Sequence, residues 1–141
     1  MHLILYIIST RVLVKNALGD KDMLMIKNKD DSFKDTLLKL IDKKGITDVE
    51  CYQRASVSRQ TWHKILSDIY YHPSKNTVIC FALALELDLD ETQRLLRTAG
   101  YTLSNSKIFD IIITYHIKIG VYDIIKINET LYAFNQPTLT N

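Results

Sequence analysis

Glycine and proline are scarce, four and two among 141 residues. So few chain-reversing residues leave little room for the tight turns of a sheet-rich fold. Cysteine is confined to Cys51 and Cys80, with no CxxC pair and no cysteine–histidine cluster. That excludes a disulfide framework or a zinc staple, and both thiols sit in apolar helical patterns. They are expected to be buried and free, in a reducing, cytoplasmic compartment. Charge of one sign is also lacking: 18 Lys and Arg against 16 Asp and Glu leave a net +2. A nucleic-acid partner would have to be signalled by local placement of charge. No apolar run reaches bilayer length. The longest, HLILYIISTRVLV (2–14), is too short and is interrupted by Arg11. It has no basic n-region or small-residue cleavage site, so neither a signal peptide nor a membrane partner is expected. There is no glycine-rich phosphate loop, and His2, His63, His72 and His116 are widely spaced. Ser58 and His63, five residues apart, point in different directions on a helix, with no acid to orient the imidazole. No catalytic residue, metal site or cofactor is expected, and the chain does not read as an enzyme.

What the chain does contain is clearest in TDVECYQRASVSRQTWHKI (47–65). Thr47 with Glu50 three residues on forms a capping box, so a helix should begin at Asp48 with Val49, Tyr52 and Ala55 on one face. Ser56-Val57 breaks that pattern. Ser58 supplies a hydroxyl to the free amides of a second helix. There Trp62, Ile65, Leu66 and Ile69 should lie inward, and Arg59, Gln60, His63 and Lys64 outward. The product is a cationic, hydrogen-bonding stripe at a helix N-terminus backed by an apolar helix pair, which is what major-groove reading requires.

Around this stretch the chain divides into an apolar extension and linker (1–31), a helical domain (32–103) and a C-terminal helical extension (104–141). The extension is ambiguous. Leu3, Leu5 and Ile7 suit a strand, whereas Leu3, Ile7, Ile8, Arg11 and Val12 suit a helix face. It is either a loose appendage or an apolar arm that packs on a partner or a second copy. From Ser32 the signals sharpen. Ser32 and Asp35 cap a helix with Phe33, Leu37, Leu40 and Ile41 inward, and Gly45 ends it. After the link DIYYHPSKN, Pro73 precedes a helix of about 75–87 with Val78, Phe81, Ala82 and Leu85 inward. Asp90, with Gln93 at the box position, should cap a fifth helix carrying Leu95 and Leu96, closed by Gly100 and Tyr101. In KIFDIIITYHIKIG (107–120) the spacing of Ile108, Ile112, Tyr115 and Ile119 predicts a helix despite many isoleucines. The last helix places Ile124, Ile127, Leu131 and Phe134 on one side, and Pro137 with TLTN marks the end.

Val57-Ser58, Pro73-Ser74, Thr77, Phe81-Ala82-Leu83-Ala84-Leu85 and Leu95-Leu96 together resemble the phage-repressor (Cro-like) helix-turn-helix family over residues 33–103, half of the chain. The resemblance implies an all-α fold: a five-helix repressor-like domain with two additional C-terminal helices. It implies sequence-specific binding of double-stranded DNA, and hence transcription regulation. Arg59, Gln60 and His63 would face base edges. Ser58, Thr61, Lys64, Lys75 and the link around His72 would face phosphates. Arginine forks onto guanine and glutamine onto adenine. Trp62 takes the family's buried aliphatic position. Three positions depart from the pattern: Tyr52 replaces a small alanine, Ser56 replaces the turn glycine, and Asp48 replaces a polar donor to phosphate. The stretch from LLRTAGYTL to INETLYAF also resembles the C-terminal helix-turn-helix module of larger bacterial proteins, which would make residues 1–31 a linker.

Local charge fits this assignment modestly. Between Gln53 and Lys75, the cations Arg54, Arg59, Lys64 and Lys75 face only Asp68, a local +3, whereas residues 33–103 as a whole carry ten basic and nine acidic residues. Glu86, Asp88, Asp90 and Glu91 cluster at the other end. The same scaffold could instead serve a protein partner or self-association through Asp48, Tyr52, the Tyr70-Tyr71 pair and the C-terminal helices. If DNA is read, a symmetric dimer on half-sites about one helical turn apart is expected.

Overall fold

The computed structural model describes residues 7, 9–13, 17, 19–27 (backbone alone at 26 and 27), 29 and 31–141. Every regular element among them is an α-helix, so the chain is all-α. It divides into two units, Met1–Asp30 and Asp31–Asn141. In the first unit, residues 9–13 are helical and α1 spans Asp20–Lys27. Ile7, Arg11 and Val12 are helical and exposed, while His2, Leu3, Leu5 and Ile8 lie outside the described residues. No helix of the described residues is long and apolar enough to cross a membrane.

The second unit contains α2 (Phe33–Lys44), α3 (Asp48–Arg54), α4 (Arg59–Ser67), α5 (Lys75–Ala84), α6 (Leu89–Thr98), α7 (Ile108–Lys118) and α8 (Ile124–Ala133). Short hydroxyl and carboxylate caps start most of them. The side chains of Ser32, Thr47, Ser58 and Ser74 accept hydrogen bonds from the amides of Asp35 (3.2 Å), Glu50 (3.1 Å), Thr61 (3.1 Å) and Thr77 (3.2 Å). Each satisfies an amide that has no partner within its helix. At α6 the cap is Asp88, not Asp90. Its carboxylate accepts from the Glu91 amide (2.8 Å), and the Glu91 carboxylate accepts from the Asp88 amide (3.3 Å). Gln93 is thereby freed to bridge the loop beyond α6, accepting from the Leu103 amide (3.0 Å) and donating to its carbonyl (3.1 Å).

The core is built around α5. The spacing predicts one inward face, but every residue from Val78 to Leu85 is buried. Helix α5 packs against α3 and α6; α6 also meets α2 and α7, and α7 meets α8. A helix apolar on all sides belongs at the centre of such an array. Phe81 sits between Phe33 (ring centroids 6.2 Å) and Trp62 (6.0 Å). Cys51 and Cys80 are buried and free, and burial pushes each thiol up to about 12, with Asp48 adding to the effect at Cys51. Both stay protonated and unreactive at neutral pH.

The apolar faces suggested by spacing differ in places from those the fold buries. On α3, Cys51 and Ala55 are buried while Val49 is exposed. Ile69 lies beyond the end of α4 and is 88% exposed. On α7 the buried residues are Asp110, Ile112, Ile113, His116 and Ile117, whereas Ile108, Tyr115 and Ile119 are exposed. An isoleucine-rich helix offers apolar residues at every angle, so spacing alone does not select the buried face. Phe134 is likewise exposed, while Leu139 of the tail is buried and tied to Asn128, whose carbonyl oxygen accepts from the Leu139 amide (2.8 Å).

Helix ends at Ser56, Glu86 and Asn135 use left-handed backbone, with φ of 55°, 51° and 57°. At the first of these, the Val57 amide donates to the Tyr52 carbonyl (2.9 Å) and the Ser56 amide to that of Gln53 (3.0 Å). This is the hydrogen-bond pattern of a glycine stop made by a residue with a Cβ. Left-handed backbone costs an L-residue ~1–2 kcal/mol, part of which glycine returns as unfolded-chain entropy. Ser56→Gly is therefore expected to raise stability by ~0.5–1 kcal/mol, read as a higher urea midpoint with unchanged slope.

Candidate nucleic-acid interface

The local chemistry of the sequence sets α4 on its neighbours. The 55–58 turn reverses the chain through Ser56. Ser58 then caps α4, its hydroxyl accepting from the Thr61 amide and donating to Thr61 Oγ1 (3.0 Å). Trp62 and Ile65 are buried at 4% and 5% exposure, so α4 is held by one face. Its last turn receives a cation from another element: Lys34 Nζ of α2 donates to the Leu66 carbonyl (2.8 Å). A positive charge on terminal carbonyls is favourable at this end of a helix.

The opposite face of α4 carries Arg59, Gln60, His63 and Lys64, all exposed. Their side chains make no hydrogen bond or ion pair within the described residues. These unengaged donors share one side of a helix whose other side is fixed in the core. Thr61 is half-buried beside them. Ser58 is exposed, but its hydroxyl is engaged by the cap.

Lys75 stands apart from this group. Its ammonium donates to Asp110 Oδ1 of α7 at 2.7 Å, and the Asp110 side chain is 1% exposed. The second carboxylate oxygen accepts from the Ser104 amide at 2.8 Å. Lys75 is thus a structural tie between α5, α7 and the loop before α7. Nothing in the sequence pairs residues 35 apart. Without it, and with Arg54 beside Glu50 (3.9 Å), the cations of the 53–75 stretch that make no ion pair are Arg59 and Lys64 of the stripe itself.

Two of the three departures from the repressor pattern, Ser56 and Tyr52, are accommodated in place. Ser56 adopts the glycine conformation described above. Tyr52, where a small residue was expected, stacks on Trp62 with ring centroids 5.7 Å apart and planes 27° apart. The bulk on α3 is matched by a bulky aromatic on α4, so the two helices meet through a ring stack. No protein-family model, curated protein or solved structure matches the chain. The likeness to phage repressors rests on the motifs alone.

Other groups considered from the sequence are placed as follows. His72 packs its ring near Tyr101 (5.6 Å), whose hydroxyl donates to the Pro73 carbonyl (2.8 Å). Tyr71 is half-buried, whereas Tyr70 projects with 88% exposure. His116 is buried, its Nδ1 donating to the Ile112 carbonyl (2.8 Å). Among the described residues no group of three His, Cys, Asp or Glu side chains is arranged to hold a metal.

Proposed function

We propose that this chain binds double-stranded DNA through α4 and acts as a transcription regulator of the repressor-like helix-turn-helix type, in the bacterial cytoplasm and as a symmetric dimer. The observation that supports this is the exposed, unengaged set Arg59, Gln60 and His63, with Lys64 beside them, on the outer face of a helix anchored by Trp62 and Ile65. Arg59 and Gln60 supply the two-pronged donors suited to purine edges. His63 adds a contact one turn on, Lys64 a phosphate contact, and Thr61 and the capped Ser58 lie at the same helix end. Lys75 is assigned to structure rather than to phosphate.

The test begins with oligonucleotides selected from a random duplex pool, followed by fluorescence anisotropy at several salt concentrations. Arg59→Ala is expected to weaken the selected duplex by ~1–3 kcal/mol and to relax one base position. Lys64→Ala should weaken all duplexes alike and reduce the salt slope by about one. An unchanged base preference in Arg59→Ala, or no duplex binding in dilute buffer, would remove the proposal. The rival class, a protein-interaction module on the same scaffold, gains support from the apolar surface of α7. Contact through that surface would be nearly indifferent to salt.

A further inference from the structure

Six of the seven helices of the Asp31–Asn141 unit end the same way. A residue in left-handed backbone follows each: Gly45 after α2, Ser56 after α3, Glu86 after α5, Gly100 after α6, Gly120 after α7 and Asn135 after α8, with φ between 51° and 82°. Such a stop turns the next amides back onto the last carbonyls of the helix. Helix α4 has no such stop. Asp68, which follows it, is extended, with φ of −99° and ψ of 104°. It returns its amide to the Lys64 carbonyl (2.9 Å), and the Ser67 hydroxyl donates to that of His63 (2.6 Å).

The Leu66 carbonyl is met from outside the helix, by the Lys34 ammonium of α2 at 2.8 Å. No other hydrogen bond joins α4 to another helix of this unit. Lys34 is ill placed for its own helix. It is the second residue of α2, where unpaired amides leave a partial positive charge that disfavours a cation. At the end of α4 the sign is reversed, and a cation is favoured there. Lys34 is exposed and makes no ion pair, so the carbonyl is its partner within the unit. We infer that Lys34 is a positioning residue for α4: through the Leu66 carbonyl it closes the last turn of the helix and sets the angle at which Arg59, Gln60 and His63 are presented. The closed turn stands on the structure alone, whereas the consequence for presentation rests on α4 being the element that reads DNA.

Two measurements on the full chain test this, with Lys34→Met and Lys34→Arg as the variants. The carbonyl carbon resonance of Leu66 reads the contact itself. It should move upfield in Lys34→Met, as a carbonyl losing a donor does, and return in Lys34→Arg. Fluorescence anisotropy reads the consequence. Lys34→Met should bind the selected duplex about threefold more weakly, and Lys34→Arg should recover the affinity. Affinity for a scrambled duplex and the salt slope should stay those of the parent, because no phosphate contact is lost. The side chain is exposed, so circular dichroism should show the helix content of the parent. An unmoved Leu66 resonance would overturn the inference whatever the duplex result. So would a salt slope lower by about one with both duplexes weakened alike, since Lys34 would then be a phosphate contact. Full affinity of Lys34→Met for the selected duplex would overturn the positioning role. A parent that binds no duplex would overturn the DNA reading and that role with it, while a shifted resonance would leave the closed turn standing.

Discussion

Lys75→Met is expected to cost the Asp31–Asn141 unit about 3–5 kcal/mol, a larger loss than any surface change should produce. The reason lies at Asp110. Its carboxylate is removed from water and held by the Lys75 ammonium at 2.7 Å and the Ser104 amide at 2.8 Å. Taking away the ammonium leaves a buried anion with a single neutral donor. Lys75 itself keeps 25% of its side chain exposed, so the reverse change, Asp110→Asn, leaves a cation that water can reach and should cost less. The double variant Lys75→Met with Asp110→Asn removes both charges and keeps an oxygen for the Ser104 amide. It should recover about 2 kcal/mol relative to Lys75→Met alone. Thermal melts should show Lys75→Met shifted down by roughly 12–20 °C for a unit of this size. A loss under about 1 kcal/mol would mean that the carboxylate finds water. The same pair bears on function. If Lys75 holds α7 rather than a phosphate, Lys75→Met assayed well below its melting point should leave the salt slope of DNA binding unchanged.

Local signals in the sequence were legible wherever a short-range hydrogen bond decides the outcome. Ser32, Thr47, Ser58 and Ser74 all act as the caps their positions suggest, because a cap needs only a side-chain oxygen and an amide three residues on. The stop at Gly100 follows for the same reason: its amide donates to the Arg97 carbonyl and that of Tyr101 to Leu96. Asp88 and Asp90 both offered a carboxylate, and the choice turned on Glu91, which closes the reciprocal bond only with Asp88. Legibility ends where two distant segments decide. The spacing of Ile108, Ile112, Tyr115 and Ile119 predicts the α7 helix but not its rotation: Ile112 is buried with Asp110, Ile113 and Ile117, whereas the other three are exposed. On that buried side Asp110 pairs with Lys75, a partnership across 35 residues that no local spacing announces. The outward set Arg59, Gln60, His63 and Lys64 was legible because one strongly apolar residue, Trp62, fixes the opposite face. The stack that holds Trp62 was not. A tyrosine at position 52 reads as an obstacle until its partner's position is known.

Trp62→Ala is expected to cost about 3–5 kcal/mol and, on the proposed function, to abolish duplex binding as well. Trp62 is 4% exposed, stacked on Tyr52 on one side and tilted against Phe81 on another, with ring centroids 6.0 Å apart and planes 53° apart. It therefore joins α3, α4 and α5 through a single side chain. Alanine leaves a cavity bounded by two rings that cannot both move in to fill it. Helix α4 keeps its Ser58 cap and Ile65, but it loses the contact that sets its rotation, and with that the common exposure of Arg59, Gln60 and His63. Tyr52→Ala should be milder, since the tyrosine is half-buried, and the double variant should fall short of the summed single losses by ~0.5–1.5 kcal/mol, the share of the ring stack. Trp62→Phe retains an aromatic face toward both neighbours and should keep most of the affinity. The chain has one tryptophan, so its fluorescence follows unfolding of the parent and of Tyr52→Ala, with circular dichroism for the Trp62 variants. Should Trp62→Ala, measured where it is still folded, bind the selected duplex as tightly as the parent, α4 would not be the element that meets DNA.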